Sequence, residues 1–404
     1  MKRPIVIIGI LFFVFGLVTW LGSVLVPYLR IACQLSNVAS YLVAFAFYIS
    51  YAVMAIPSAA ILRRTGYRKG MALGLLVMAI GALLFIPAAM SRWYLLFLAG
   101  QFVQGTGLAI LQTAANPYVT ILGPMEGAAR RMSIMGICNG IAGILGPVVL
   151  GSVILENADD IQRRIAGMTV MARGPVLDML AHRAIIPYCI ITTALLGLCV
   201  WVYFSGLPEP GTGEDADAGD AGLGGAVRFP HLMLGVLTLF LYVGVEVIAG
   251  DTIINYGASQ GIALSTARFF ASFTLTCMLV GYLLGIVVTP TYLSQRTILK
   301  VSAGMGVLFA LGALSTHGVV SVTCIGLLGL ANAMVWPSIW PLALDGLGRY
   351  TRIGSSLLIL AIGGGAVMPL LYGWLADGVG AQHAYWLVVP VYLSIGAYAF
   401  FKGK

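Results

Sequence analysis

Long apolar runs alternate along the chain with short polar or turn-rich breaks. Twelve of these runs are long enough to cross a bilayer, which takes about 20 apolar residues. They cover residues 5–29, 39–62, 70–90, 93–121, 132–155, 184–206, 230–255, 266–290, 298–316, 318–345, 353–376 and 381–401. Helices are expected, because a lipid-facing backbone must satisfy its own hydrogen bonds. The short alternating strands of a barrel are not seen. One longer hydrophilic stretch, 207–229, is dominated by Gly, Asp and Ala and reads as a flexible linker. The pattern therefore predicts an all-α membrane protein. It has an N-terminal six-helix half (1–206), a cytoplasmic linker (207–229) and a C-terminal six-helix half (230–404).

The two halves carry a repeat. Arg130, Ser133, Pro147 and Gly151 in the fifth run match Arg352, Ser355, Pro369 and Gly373 in the eleventh, each pair 222 residues apart. Equivalent positions in equivalent runs predict two halves related by an axis along the membrane normal. The start of the chain, Met1-Lys2-Arg3 before an apolar run, imitates a signal peptide. Trp20 and Leu21 stand where a cleavage site would want small residues, so an uncleaved first span is expected.

Composition agrees with the pattern. Hydrophobic residues make up 60% and charged residues 9%, against about 25% charged in soluble domains. This excludes a soluble enzyme, a disordered chain and a nucleic-acid-binding domain. The net charge of +8 is read as topology. If both termini are cytoplasmic, fifteen of the 22 Lys and Arg fall on that side, as the positive-inside rule demands. The six cysteines are scattered without a CxxC pair, and the four histidines show no ligand spacing. No metal site, disulfide framework or prosthetic group is expected.

Buried charge narrows the chemistry. Almost all of the acidic residues fall in loops or at the ends of runs; Glu246 and Asp251, both in the seventh run, do not. A charge at the bilayer centre costs at least about 2.5–3.5 kcal/mol and marks a cavity or ion path. Asp251 also suits a carboxylate near the span end reaching water. Five residues apart on a helix means about 140°, so the two would share a face only if the span were kinked near Gly244 and Gly250. No Lys or Arg lies deep in a run to pair with them. They must be protonated, bind a cation or hydrogen-bond a polar ligand. That fits a cation-coupled carrier of a neutral polar solute and argues against organic anions. Gln112, Asn116, Asn139 and Asn332 are mid-run amides suited to vicinal hydroxyls. Trp20, Trp336 and Trp340 offer rings that stack on a sugar face. Helix–helix bonding is the competing role for each amide.

Several segments resemble a known family. Gln112-Thr113-Ala114-Ala115-Asn116-Pro117-Tyr118-Val119-Thr120 with Leu122-Gly123-Pro124, and Ser133-Ile134-Met135-Gly136-Ile137-Cys138-Asn139, are similar to the fourth and fifth helices of one branch of the major facilitator superfamily. That branch contains the fucose, galactose and glucose symporters. Residues 44–51 and Gly354-Ser355-Ser356 resemble its second helix and the start of its eleventh. The turn Arg63-Arg64-Thr65-Gly66-Tyr67-Arg68-Lys69-Gly70 matches the superfamily's signature loop without its acidic residue. The resemblance is closest to bacterial glucose/galactose transporters. It implies a monomeric multi-pass carrier in the bacterial inner membrane that imports a neutral hexose by rocker-switch alternating access. The acids of the proton-coupled fucose branch are replaced here by Ser23 and Gln112, so that mechanism does not transfer. The resemblance implies sodium coupling through Glu246 and Asp251, with H⁺ as the other candidate. A uniporter and a multidrug efflux carrier on the same fold are the alternatives.

Overall fold

A computed structural model describes residues 2–121, 128–207, 223–288, 292–347 and 350–401. Among them are twelve helical segments long and apolar enough to cross a membrane: Pro4–Ala32, Asn37–Met54, Arg64–Ser91, Tyr94–Ala115, Ile134–Ile154, Ala172–Phe204, Pro230–Asp251, Leu264–Val288, Gln295–Ser315, Gly318–Leu344, Leu357–Val379 and Ala381–Phe400. No strand occurs among the described residues.

Most span ends fall within four residues of the apolar pattern; the larger offsets are in the second, third, fourth and sixth spans, and two differences are instructive. The second and third spans belong to one continuous run, Asn37–Ser91, interrupted only at Gly66 with φ 75° and ψ 175°. The basic turn is thus a one-residue reversal that needs glycine. The second difference is the stretch 156–183, which read as a loop. It contains helices Ala158–Ala166 and Val170–His182. In the first of these, Ile161 and Ile165 are buried while Arg163 and Arg164 face outward. Its apolar stripe is too short and too charged to register as a hydrophobic run. Of the linker, 208–222 lies outside the described residues.

Three spans are broken. The first turns at Leu21, between helices Lys2–Trp20 and Gly22–Ala32. The seventh runs Pro230–Asp251, bends at Thr252 and resumes as Ile253–Ser259. The tenth breaks at Ala333–Met334, where Pro337 has no N–H for the Ala333 carbonyl. The expected kink at Gly244 and Gly250 is therefore corrected. The helix is regular through both, and the break comes one residue after Asp251. The two glycines serve packing instead. A methyl on Gly244 would overlap Met368, and one on Gly250 would lie 2.5 Å from Cζ3 of Trp20.

Each span crosses once, so Lys2, Leu207, Leu223 and Phe401 lie at one end of the bundle. The opposite, distal end carries the connections at 33–36, 156–183, 260–263 and 380. There the first six spans are tied to the last six. Asp377, in the eleventh span, accepts from Asn37 Nδ2 at 2.5 Å and from the Val38 N–H at 3.2 Å. Asp159 accepts from the N–H groups of Leu264 at 2.9 Å and Ser265 at 3.3 Å. Arg268 Nη1 donates to the Gly151 carbonyl at 3.1 Å. In both carboxylate latches an acid from one set of spans caps a helix N-terminus of the other, satisfying N–H groups that the helix leaves free. A carboxylate at a helix N-terminus contributes about 0.3–1 kcal/mol. Asp159→Asn with Asp377→Asn is therefore expected to loosen distal closure by roughly 3- to 30-fold. Maleimide labelling of a cysteine placed at Asn255, in a background freed of native cysteines, measures this. Unchanged labelling contradicts a latch role.

Candidate functional site

Half-way along the bundle lies a cavity of about 340 Å³, bordered by both sets of six spans. That volume is at the lower end of small-molecule sites, about 300–1,000 Å³. The first span supplies Phe12, Phe15, Thr19 and Trp20, the second Tyr48 and Tyr51, the fourth Gln112, and the fifth Gly136, Asn139 and Gly140. The seventh supplies Tyr242, Val243, Glu246 and Val247, the eighth Leu275, Met278, Leu279 and Tyr282, the tenth Trp336 and the eleventh Ile362. Glu246 is the only ionisable group among them other than tyrosine, and among the described residues no Lys, Arg or His lines the space.

Close backbone approaches put these side chains where they are. Gly16 lets the first span press on Asn139, since a methyl there would come within 2.7 Å of the Asn139 carbonyl carbon. Trp20 is wedged between two glycines. A methyl on Gly143 would lie 2.6 Å from its Cδ1, and Gly250 flanks the other face of the fold at Cζ3. Glu246 is half-buried, with its carboxyl within reach of the Tyr242 hydroxyl one turn earlier. Tyr242 donates to the Asn332 carbonyl oxygen at 3.1 Å, and Tyr392 donates to Asn332 Oδ1 at 2.8 Å. Tyr48, Tyr282 and Tyr392 complete the electrostatic surroundings of Glu246. The carboxylate is therefore ringed by phenols from four different spans, with no cation opposing it.

Of the residues singled out from sequence, Trp20, Gln112, Asn139, Glu246 and Trp336 meet at this cavity. Three others lie off it. Asn332 is buried with its oxygens engaged by two tyrosines, so it holds Tyr242 rather than facing the cavity. Trp340 stacks on Trp336, with ring centroids 5.2 Å apart. Asp251 is buried against the first span, about 140° around the regular helix from Glu246. The Asn116 side chain lies outside the described residues. Tyr48, Tyr51, Tyr242 and Tyr282 were not selected from the sequence. Their signal was present as hydroxyl-bearing aromatics in mid-span, with Tyr48 and Tyr51 three residues apart on one face.

A second, larger cavity of about 810 Å³ opens at the distal end. Arg30, Gln34, Asp159, Arg163 and Asn255 are among its lining residues. Its walls are loops and helix ends, and the mid-span amides and indoles are absent from it.

This architecture has known counterparts. A family model described as Major Facilitator Superfamily matches residues 8–361. A "Glucose/galactose transporter" of Brucella abortus biovar 1 (strain 9-941) is 34% identical over 399 residues, covering 98% of this chain and 93% of the relative. An "L-fucose-proton symporter" of Escherichia coli (strain K12) is 28% identical over 388 residues, 93% of this chain and 87% of the relative. Among solved structures, the transporter FucP in its outward conformation superposes with a TM-score of 0.75 at 26% identity, covering 99% of both chains. Fold, family model and near full-length relatives agree: the chain belongs to the Major Facilitator Superfamily and is a multi-pass membrane transporter, not an enzyme.

Proposed function

We propose that the protein imports a neutral hexose of the glucose/galactose type by cation symport, through rocker-switch movement of residues 1–206 against 230–404. The observation that carries this reading is the central cavity. Two amides, two indoles and a single carboxylate converge there, and no cation lines it. Gln112 and Asn139 each present a donor and an acceptor for adjacent sugar hydroxyls. Trp20 and Trp336 cover the apolar ring face, and Glu246 accepts from two hydroxyls. Asn116, four residues after Gln112 in the sequence, is assigned to the same task. Asn332 and Trp340 act behind it, positioning Tyr242 and Trp336. The relatives named glucose/galactose transporter and L-fucose-proton symporter support the substrate class. The Lys and Arg bias supports an orientation with both termini in the cytoplasm of a bacterial inner membrane, and the transport unit in this reading is a monomer.

The charge of the cavity gives a direct test. A solute carboxylate about 5 Å from Glu246 would be repelled by about 3 kcal/mol at an effective dielectric constant of about 20, over 100-fold in affinity. Titration followed by tryptophan fluorescence is expected to give saturable changes with D-glucose and D-galactose and none with D-glucuronate. Equal responses to the neutral and anionic sugars would overturn the assignment.

A further inference from the structure

Asp251 has no place in the cavity, and its surroundings are unusual. The residue is 1% exposed, and Oδ1 has no hydrogen-bond partner. Its carboxyl lies directly on the Cα of Gly22. A methyl at that position would be 2.7 Å from Oδ2 and 3.1 Å from Oδ1. Gly22 opens the second helix of the broken first span, and Asp251 closes the first helix of the broken seventh. The carboxyl is thus clamped where the two sets of six spans meet. On its distal side stands Asn255, which lines the 810 Å³ cavity and whose Nδ2 also lacks a partner. On its other side the Trp20 ring covers Gly250 and separates Asp251 from the central cavity.

The groups facing Asp251 are few. The second span contributes the phenols Tyr41 and Tyr48, and Tyr41 also meets Asn255. The first span contributes Gly22; the hydroxyl of the adjacent Ser23 donates to the Trp20 carbonyl at 2.9 Å. Glu246 is the other acid of its own helix. Arg30 and Asp377 are the charged groups near Tyr41. An ionised carboxylate here is a buried charge without a partner, costing at least about 2.5–3.5 kcal/mol. A metal cation would need several oxygen ligands around it, but Gly22 fills one face of the carboxyl. A proton needs no such space.

We propose that Asp251 is the coupling site, binding a proton from the distal cavity as the two sets of spans close over it, while Glu246 holds the solute. The step forms an O–H bond at the Asp251 carboxylate and breaks one O–H bond of a hydronium ion, leaving a neutral water molecule. When the spans part, Gly22 withdraws and water can carry the charge again. The proton leaves past Trp20 into the central cavity. This deepens the hexose-symport reading and rests on it.

The test uses purified protein in proteoliposomes with labelled glucose. Asp251→Asn is expected to lower accumulation driven by a pH gradient at least about 10-fold, to keep sugar counterflow, and to remove its pH dependence. Undiminished pH-driven accumulation in Asp251→Asn, or wild-type accumulation that follows Na⁺ with no response to pH, overturns the proposal. If the variant yields no protein, wild type in unbuffered detergent solution decides. Net proton uptake on adding glucose supports the proposal, and its absence overturns it. Wild type without counterflow of glucose or galactose marks failure of the hexose reading itself, distinguishable from counterflow that is merely independent of pH.

Discussion

Glu246→Gln is expected to raise the KM for hexose counterflow about 10- to 100-fold, because charged hydrogen bonds contribute about 1.5–3 kcal/mol each and neutral ones about 0.5–1.5. Two hydroxyl contacts weakened by about 1 kcal/mol each give the middle of that range. The variant retains the shape of the side chain and its neighbour Tyr242, which stays fixed on the Asn332 carbonyl. Folding should be untouched, since no ion pair is lost. A KM within about twofold of wild type would remove Glu246 from the solute site. The effect should exceed that of Gln112→Ala or Asn139→Ala, each expected to cost about 1 kcal/mol of binding as neutral hydrogen-bonding groups.

Gly16→Ala is expected to be strongly damaging for so small a substitution. The added methyl would lie 2.7 Å from the Asn139 carbonyl carbon and 2.9 Å from its Cα. Both are backbone atoms, which have no rotamer through which to give way. Overpacking of this kind costs about 1–3 kcal/mol, and here the relief available is separation of the first and fifth spans. That moves Asn139 away from the cavity. The expected result is a lower unfolding temperature together with a raised KM. Gly304→Ala is the matched control, since nothing lies within 4 Å of the added methyl and helix propensity favours alanine. Equal stability of the two variants contradicts the close approach at Gly16.

Much of this architecture was legible in the sequence for a physical reason. Lipid imposes a length and an apolarity on every span, so the twelve helices announced themselves in a one-dimensional pattern. The segments resembling a known branch, such as 112–120 and 133–139, pointed to the family. Interior detail was less visible. Glu246 could be recognised because a carboxylate in an apolar run is costly, but three of the four phenols around it, Tyr48, Tyr282 and Tyr392, come from spans distant in sequence. Asn332 and Gln112 looked alike as mid-span amides. Only the contacts of Tyr242 and Tyr392 separate one that braces a neighbour from one that faces the cavity. Gly244 and Gly250 suggested a kink because glycine permits one, whereas here each makes room for a side chain from another span. Helix Ala158–Ala166 escaped notice because its two buried isoleucines are outnumbered by charges that face outward.

The most direct measurement is uptake of labelled glucose into proteoliposomes under an imposed pH or Na⁺ gradient. Hexose symport predicts accumulation above the external concentration while the gradient lasts, collapsing when an ionophore dissipates it. Uptake that only equilibrates under both gradients, or no uptake of glucose or galactose at all, would contradict it.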